Sequence, residues 1–289
     1  GSARANILFT KGTASSAKTR AIPLTWTQLT EASALANNSL AQHSSHLWQE
    51  KLPLAGAAAK AKGTTQATSV PASASSGTGT FSGSLFDASS GSTQNPVEPA
   101  PEFFWQCVLP LYHISGFQIL VRSVVGRTPL LVYERFEAEA VLNDAEACQI
   151  THITVSDRMM QDLLTVEEWR SDILPNAQSR LAAYQCILLA GHKLNPRTVG
   201  RSLDVGARLF ASYGMPETSS FIAASLITPE FRGGLKLMEG YTAHIVDPDE
   251  SGFGRLAVQG PGVFDGYLNA STAFTVDHYF ITGDVAALY

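Results

Sequence analysis

The chain has 289 residues, 45% of them hydrophobic and 16% charged, with a formal net charge of −5. That length can bury one large core or two smaller ones, and the charge gives no basic footprint for nucleic acid. No apolar run reaches the roughly 18–20 residues of a membrane span, and Cys107, Cys148 and Cys186, far apart in apolar or amphipathic runs, read as buried free thiols in a reducing cytoplasm.

Gly1-Ser2-Ala3, with no Met and no signal pattern, reads as a tag remnant or a cut end. Asn6 to Thr10 predicts a short buried strand. Lys11 to Arg20 follows, small and hydroxyl residues with cations whose N–H groups and side chains could wrap a polyphosphate. The spacing is not that of a Walker A loop, and a plain flexible loop stays equally open. Thr25-Trp26-Thr27-Gln28 is a capping box that opens a helix with Leu29, Ala32, Ala36 and Leu40 on one side. From Ala55 to about Pro101 the composition collapses to Ala, Ser, Gly and Thr with scattered Pro, which predicts a disordered insertion (residues 55–101).

After it the pattern is regular. Strands are expected at Phe103 to Leu111, Pro129 to Tyr133, Ile150 to Val155, Gln185 to Ala190 and Arg208 to Ala211. Between them fall helices: Gly116 to Val125, capped by Ser115 and ended by Gly126; Glu137 to Cys148; Ser156 to about Leu164; and one from Asn195-Pro196 to Gly206. The alternation implies an α/β fold, a largely parallel sheet with helices on both faces. In such sheets ligands bind beyond the carboxyl ends of the strands. The loops there are Tyr112 to Gly116, Ser156-Asp157, Gly191-His192-Lys193 and Tyr213 to Ser220.

The last of these packs an aromatic ring, a turn glycine, one carboxylate and three hydroxyls into a few residues, types that can stack on a base, hold a hard cation and bond phosphate. Taken alone it is as readily a solvated loop. His113 alone is more often a loop residue than an acid, base or ligand. Arg122 lies among Ile119, Leu120, Val121, Val124 and Val125, and a guanidinium in so apolar a run calls for an anion, an internal Asp or Glu or a ligand carboxylate. Beyond Pro229, short strands (Ala243 to Val246, Gly254 to Val258) and the turns around Gly252, Gly262 and Gly266 predict a small β-rich, barrel-like subdomain over 230–289, after an α/β region over 102–229 and a phosphate-loop segment over 1–54. Asp284, beside Gly283, reads as a turn residue or as a holder of a ribose diol.

Four stretches, Ile7 to Thr13, Pro110 to Gly116 with Arg122, Tyr213 to Thr218, and Thr282-Gly283-Asp284, together resemble the adenylate-forming acyl-CoA synthetases, and within them the o-succinylbenzoate-CoA ligases of menaquinone biosynthesis. The resemblance implies an enzyme that uses ATP, Mg²⁺ and coenzyme A on a small carboxylic acid. It places Thr10, Gly12, Thr13 and Lys18 or Arg20 on the ATP phosphates, Gly191 and Tyr213 around the adenine, Glu217 on Mg²⁺ and Asp284 on the ribose. It sets His113 at the border of the acyl pocket, with Ser115 and Arg122 around an aromatic acid, and makes Glu217, His113 and Lys18 the catalytic set. The chain departs from the family in its phosphate loop and at Pro216, where the family has a phosphate-binding Thr; Thr218 or Ser219 would have to substitute. The stretch before the phosphate loop and the C-terminal domain with its catalytic lysine have no counterpart in the 289 residues, so this chain by itself is expected to form little thioester. A synthetase for another acid and a degenerate nucleotide-binding protein are the rival readings; a homo-oligomer stays open.

Overall fold

The computed structural model describes the backbone of residues 4–10, 19–49, 103–191 and 194–289, and side chains in those spans except 4–10 and 43–49. The expected insertion and residues 11–18 of the polyphosphate loop lie outside the described residues.

Strands β1 (Arg4–Thr10) and β2 (Arg20–Thr25) form an antiparallel pair with Thr10 opposite Arg20. The sequence gives little sign of β2 because Pro23 sits in its middle; proline lacks an N–H, and a two-stranded pair leaves a free edge for it. Helix α1 (Trp26–Gln49) begins at the expected capping box: Gln28 N donates to Thr25 Oγ1 at 3.1 Å and Thr25 N to Gln28 Oε1 at 2.8 Å. Its expected apolar side, Leu29, Ala32, Ala36 and Leu40, is buried.

The elements β3 (Trp105–Cys107), α2 (Ile114–Gly126), β4 (Leu130–Val132), α3 (Ala138–Cys148), β5 (His152–Val155), α4 (Asp157–Ile173), β6 (Cys186–Leu189), α5 (Pro196–Asp204), β7 (Leu209–Met215), β8 (Ser220–Leu226) and β9 (Lys236–Leu237) follow in order. They build a seven-stranded sheet, β4-β3-β5-β6-β7-β8-β9, parallel from β4 to β7 and antiparallel beyond. Strands β10 (Thr242–Val246), β11 (Gly254–Gln259) and β12 (Phe280–Ala286) form a separate antiparallel sheet. Among the described residues no helix is long and apolar enough to cross a membrane.

Several boundaries differ from the sequence reading. Helix α2 is capped by His113, not Ser115; it ends at Gly126 as expected, with the following Arg127 as its left-handed C-cap (φ 51°). Helix α4 runs on to Ile173: its core position after Leu164 is taken by Glu167, a buried charge that hydrophobic periodicity cannot register. Residues Tyr213-Gly214-Met215, expected in a loop, continue β7, and Phe221 to Ala224 is a further buried strand. Cys107 and Cys186 are buried and free as expected, but Cys148 is exposed at the end of α3.

All four residues of β6 are buried, Cys186 and Leu188 in a core shared with α1 and α2, Ile187 and Leu189 in one shared with α3 and α4. A strand apolar on both sides is the mark of a sheet covered on both faces. The chain leaves β3 outward to β4, then returns across it to β5, β6 and β7, so the winding reverses between β3 and β5. In sheets wound this way the binding crevice lies beyond the carboxyl ends of these strands, and here the loop Leu109 to His113 leaves β3 at that end and Ser156 follows β5.

Candidate functional site

The β7–β8 hairpin carries the first half of the site. A Cβ at Gly214 would stand 1.6 Å from Ser220 O, so only glycine allows the bulge between Tyr213 and Gly214. The hairpin closes through a 3₁₀ turn, Pro216–Thr218, and then Ser219 and Ser220 at φ 55° and 81°. The two hydroxyls that could replace the missing phosphate donor, Thr218 and Ser219, are both engaged, one within this turn and one between it and Gly262. Thr218, fully buried, accepts from Met215 N at 3.0 Å and sits 2.9 Å from Ser220 O; Ser219 donates to Gly262 O at 2.8 Å. The Thr218 hydroxyl is therefore already engaged within the turn.

The turn aims Glu217 inward, at 8% exposure, with its backbone oxygen accepting from Phe264 N at 2.8 Å. Its Oε1 accepts from the Tyr267 hydroxyl at 2.8 Å, which in turn accepts from Arg20 Nη1 at 3.3 Å; the guanidinium lies 5.0 Å from the Tyr267 ring centre. Burial first, and the Glu217 bond second, push the Tyr267 phenol up to about 12, so it is a donor at neutral pH. Beside it the Tyr213 hydroxyl donates to Asp284 Oδ2 at 2.7 Å, burial and that bond raising the phenol pKa well above its ordinary value. Asp284, on β12, is exposed, and Asp284 N is held by Thr282 Oγ1 at 3.1 Å. Gly191, after β6, has φ 109° and open space where a Cβ would stand, so a flat ring can pass over its backbone.

At the mouth of the crevice His113 caps α2, its Nδ1 accepting from Ser115 N at 3.3 Å with Ser115 Oγ at 2.6 Å; His113 is exposed and Ser115 half-buried. Gln118, one turn on, is 1% exposed and was not anticipated. It donates to Ser219 O at 2.8 Å and accepts from Ser33 at 2.7 Å, tying α1, α2 and the Glu217 turn together. No periodicity marks such a residue. Tyr267 was likewise read only as part of a turn, its one signal being the preceding Gly266 at φ 129°.

Arg122 stands apart. Nine residues along α2 from His113, about 13 Å at the helical rise, it is 3% exposed, its guanidinium 5.1 Å from the Phe221 ring centre and 5.9 Å from that of Trp105. Its Nε has no hydrogen-bond partner, and among the described residues no carboxylate forms an ion pair with it. Burial lowers its pKa to about 10, which leaves it charged at neutral pH. Trp105 Nε1 and His152 Nε2 nearby are also buried without partners, the two rings 5.0 Å apart. Gly12, Thr13 and Lys18 lie outside the described residues, and of Thr10 only the backbone is described.

Glu217 is a lone carboxylate: among the described residues no group of three or more His, Cys, Asp or Glu could hold a metal ion. A cation here would draw its other ligands from phosphate oxygens and water, which fits Mg²⁺ carried in by a nucleotide.

A family model described as AMP-binding enzyme matches residues 84–268. The chain is similar to a 2-succinylbenzoate–CoA ligase of Staphylococcus epidermidis, 30% identical over 190 residues, 64% of this chain and 38% of that protein. It is similar also to the Enterococcus faecalis protein of the same name, 31% identical over 214 residues, 70% of this chain and 42% of that one. The matches thus span about two fifths of these relatives' length. Among solved structures, the O-succinylbenzoate coenzyme A synthetase of Bacillus subtilis in complex with AMP aligns with a TM-score of 0.67 and 21% identity, covering 99% of this chain and 47% of that one, and carries the same fold.

Proposed function

The chain belongs to the AMP-binding enzyme family, and from that premise we propose that it serves an ATP-dependent acid-CoA ligase whose acid is an aromatic dicarboxylate of the o-succinylbenzoate type. The observation that carries the choice of acid is Arg122, a buried guanidinium near two rings, its Nε without a hydrogen-bond partner and, among the described residues, with no carboxylate in an ion pair with it. A desolvated charge left without a partner is costly, and a ligand's second carboxylate would satisfy it bidentately while orienting the first.

The reaction so read is attack of one carboxylate on the α-phosphorus of ATP with loss of pyrophosphate, then attack of the coenzyme A thiolate on the acyl carbon of the adenylate, which expels AMP. Attacker and target are both anionic, and Mg²⁺, when bound, supplies the neutralising charge. In this chain Glu217 would hold it, Tyr213 and Gly191 would flank the adenine, and the exposed Asp284 would take the ribose hydroxyls. His113 and Ser115, joined at the head of α2, would border the reacting carboxylate. The names of the similar ligases support the same acid.

Binding of acids to the 289-residue chain in the presence of AMP, measured by calorimetry, tests this. A charge-assisted pair in a desolvated site is worth about 2–5 kcal/mol, so o-succinylbenzoate should bind on the order of 30-fold to several thousand-fold tighter than benzoate. Equal affinities would leave only a synthetase for some other acid. One observation favours a second reading, a nucleotide-binding protein that adenylates poorly: Pro216 supplies no hydroxyl, and those of Thr218 and Ser219 are bonded to Met215 N and Gly262 O.

A further inference from the structure

Glu217 has two carboxylate oxygens, and one is already committed. Oε1 accepts from the Tyr267 hydroxyl at 2.8 Å. Tyr267 is held from several sides: its backbone N donates to Thr272 Oγ1 at 2.8 Å, its ring packs edge-on against buried Phe264 with centres 4.9 Å apart, and Arg20 covers the other contact, 5.0 Å from the ring centre with Nη1 3.3 Å from the hydroxyl. A side chain fixed this way has one function available to it at that oxygen, to set the rotation of the carboxylate. Phe264 closes the loop, since its backbone N bonds to Glu217 O at 2.8 Å. The arrangement matches the way ligating carboxylates are generally oriented by an outer hydrogen-bond donor.

We propose that Tyr267 is the positioning residue for the metal-binding carboxylate: its hydroxyl holds Glu217 Oε1 so that the second oxygen faces the cation, and Arg20, at the start of β2, fixes the phenol. The proposal rests on the reading that Glu217 binds Mg²⁺. It also gives Arg20 a place in the site other than direct contact with phosphate.

The test is titration of Mn²⁺, as a spectroscopic stand-in for Mg²⁺, into the 289-residue chain with a non-hydrolysable ATP analogue bound, followed by electron paramagnetic resonance. The unsubstituted chain, Tyr267→Phe and Glu217→Gln are compared, with metal-free analogue affinity and thermal midpoint as controls. Tyr267→Phe keeps the ring against Phe264 and removes only the donor. It should weaken Mn²⁺ binding by roughly 10- to 100-fold while analogue affinity without metal and the midpoint stay close to those of the unsubstituted chain. Unchanged Mn²⁺ affinity in Tyr267→Phe, with loss in Glu217→Gln, would overturn the positioning role and leave the metal ligand standing. Full Mn²⁺ affinity in Glu217→Gln, or no protein-dependent binding in the unsubstituted chain, would overturn both.

Discussion

Among the described residues two arginines are buried, and they are buried in opposite ways. Arg180 is 7% exposed and enclosed by polar partners: its Nε donates to Glu167 Oε1 at 2.7 Å, its backbone N and Ser179 Oγ donate to Glu167 Oε2, and Asn143 accepts from Nη1. Arg122 is 3% exposed and enclosed by Trp105 and Phe221, with an orphaned Nε. Internal hydrogen bonds satisfy the first charge, so its work is structural. Ring faces offset only part of the desolvation of the second, and that asymmetry is what the proposed ligand role of Arg122 rests on.

The largest effect should come from breaking the satisfied site. Glu167→Ala strands a buried guanidinium and should lower stability by about 3–5 kcal/mol in denaturant unfolding; a loss under about 1 kcal/mol would mean that Arg180 finds solvent and that the contrast is weaker than drawn.

Next is the surroundings of Arg122. Burial holds His152 neutral, its pKa pulled from 6.5 down to about 3. Because the folded value lies below the unfolded one, the unfolded chain takes up the proton first. Stability is therefore full above pH 6.5 and falls as pH drops from there toward 3. Between pH 7 and 5 the loss from this residue alone should be about 2 kcal/mol, and His152→Leu should flatten that part of a stability-against-pH curve. A curve unchanged by the substitution would show that His152 is not the group being titrated.

The smallest stability effect is expected for Arg122→Met. With no carboxylate paired to it among the described residues, the change in unfolding free energy should stay within about 1 kcal/mol.

The contrast between the two arginines also marks how far the sequence could be read. Arg122 stands out as a cation in an apolar run, and the sequence leaves open whether an internal acid or a ligand answers it; among the described residues no acid pairs with it. Glu167 and Arg180 drew no attention, because their partnership joins α4 to a 3₁₀ turn across 13 residues and neither sits in a motif. Local chemistry was legible: the Thr25–Gln28 box, the Ser156 and Asn195 caps and the parallel alternation all formed where periodicity and capping placed them. What escaped was set by tertiary contact. Strand β2 exists through its pairing with β1 despite Pro23, and Tyr267 reaches Glu217 only because the segment after Gly266 is tied to β2, with Leu268 N on Ala21 O and Asn269 Oδ1 on Ala21 N.

The measurement that bears most directly on the proposed role of Arg122 is a paired one on Arg122→Met: calorimetric affinity for o-succinylbenzoate and for benzoate with AMP present, alongside the thermal midpoint. Affinity for the dicarboxylate should fall by on the order of 30-fold to several thousand-fold, with benzoate binding and the midpoint nearly unchanged. Equal loss on both acids together with a lowered midpoint would contradict the account and make Arg122 a structural residue like Arg180.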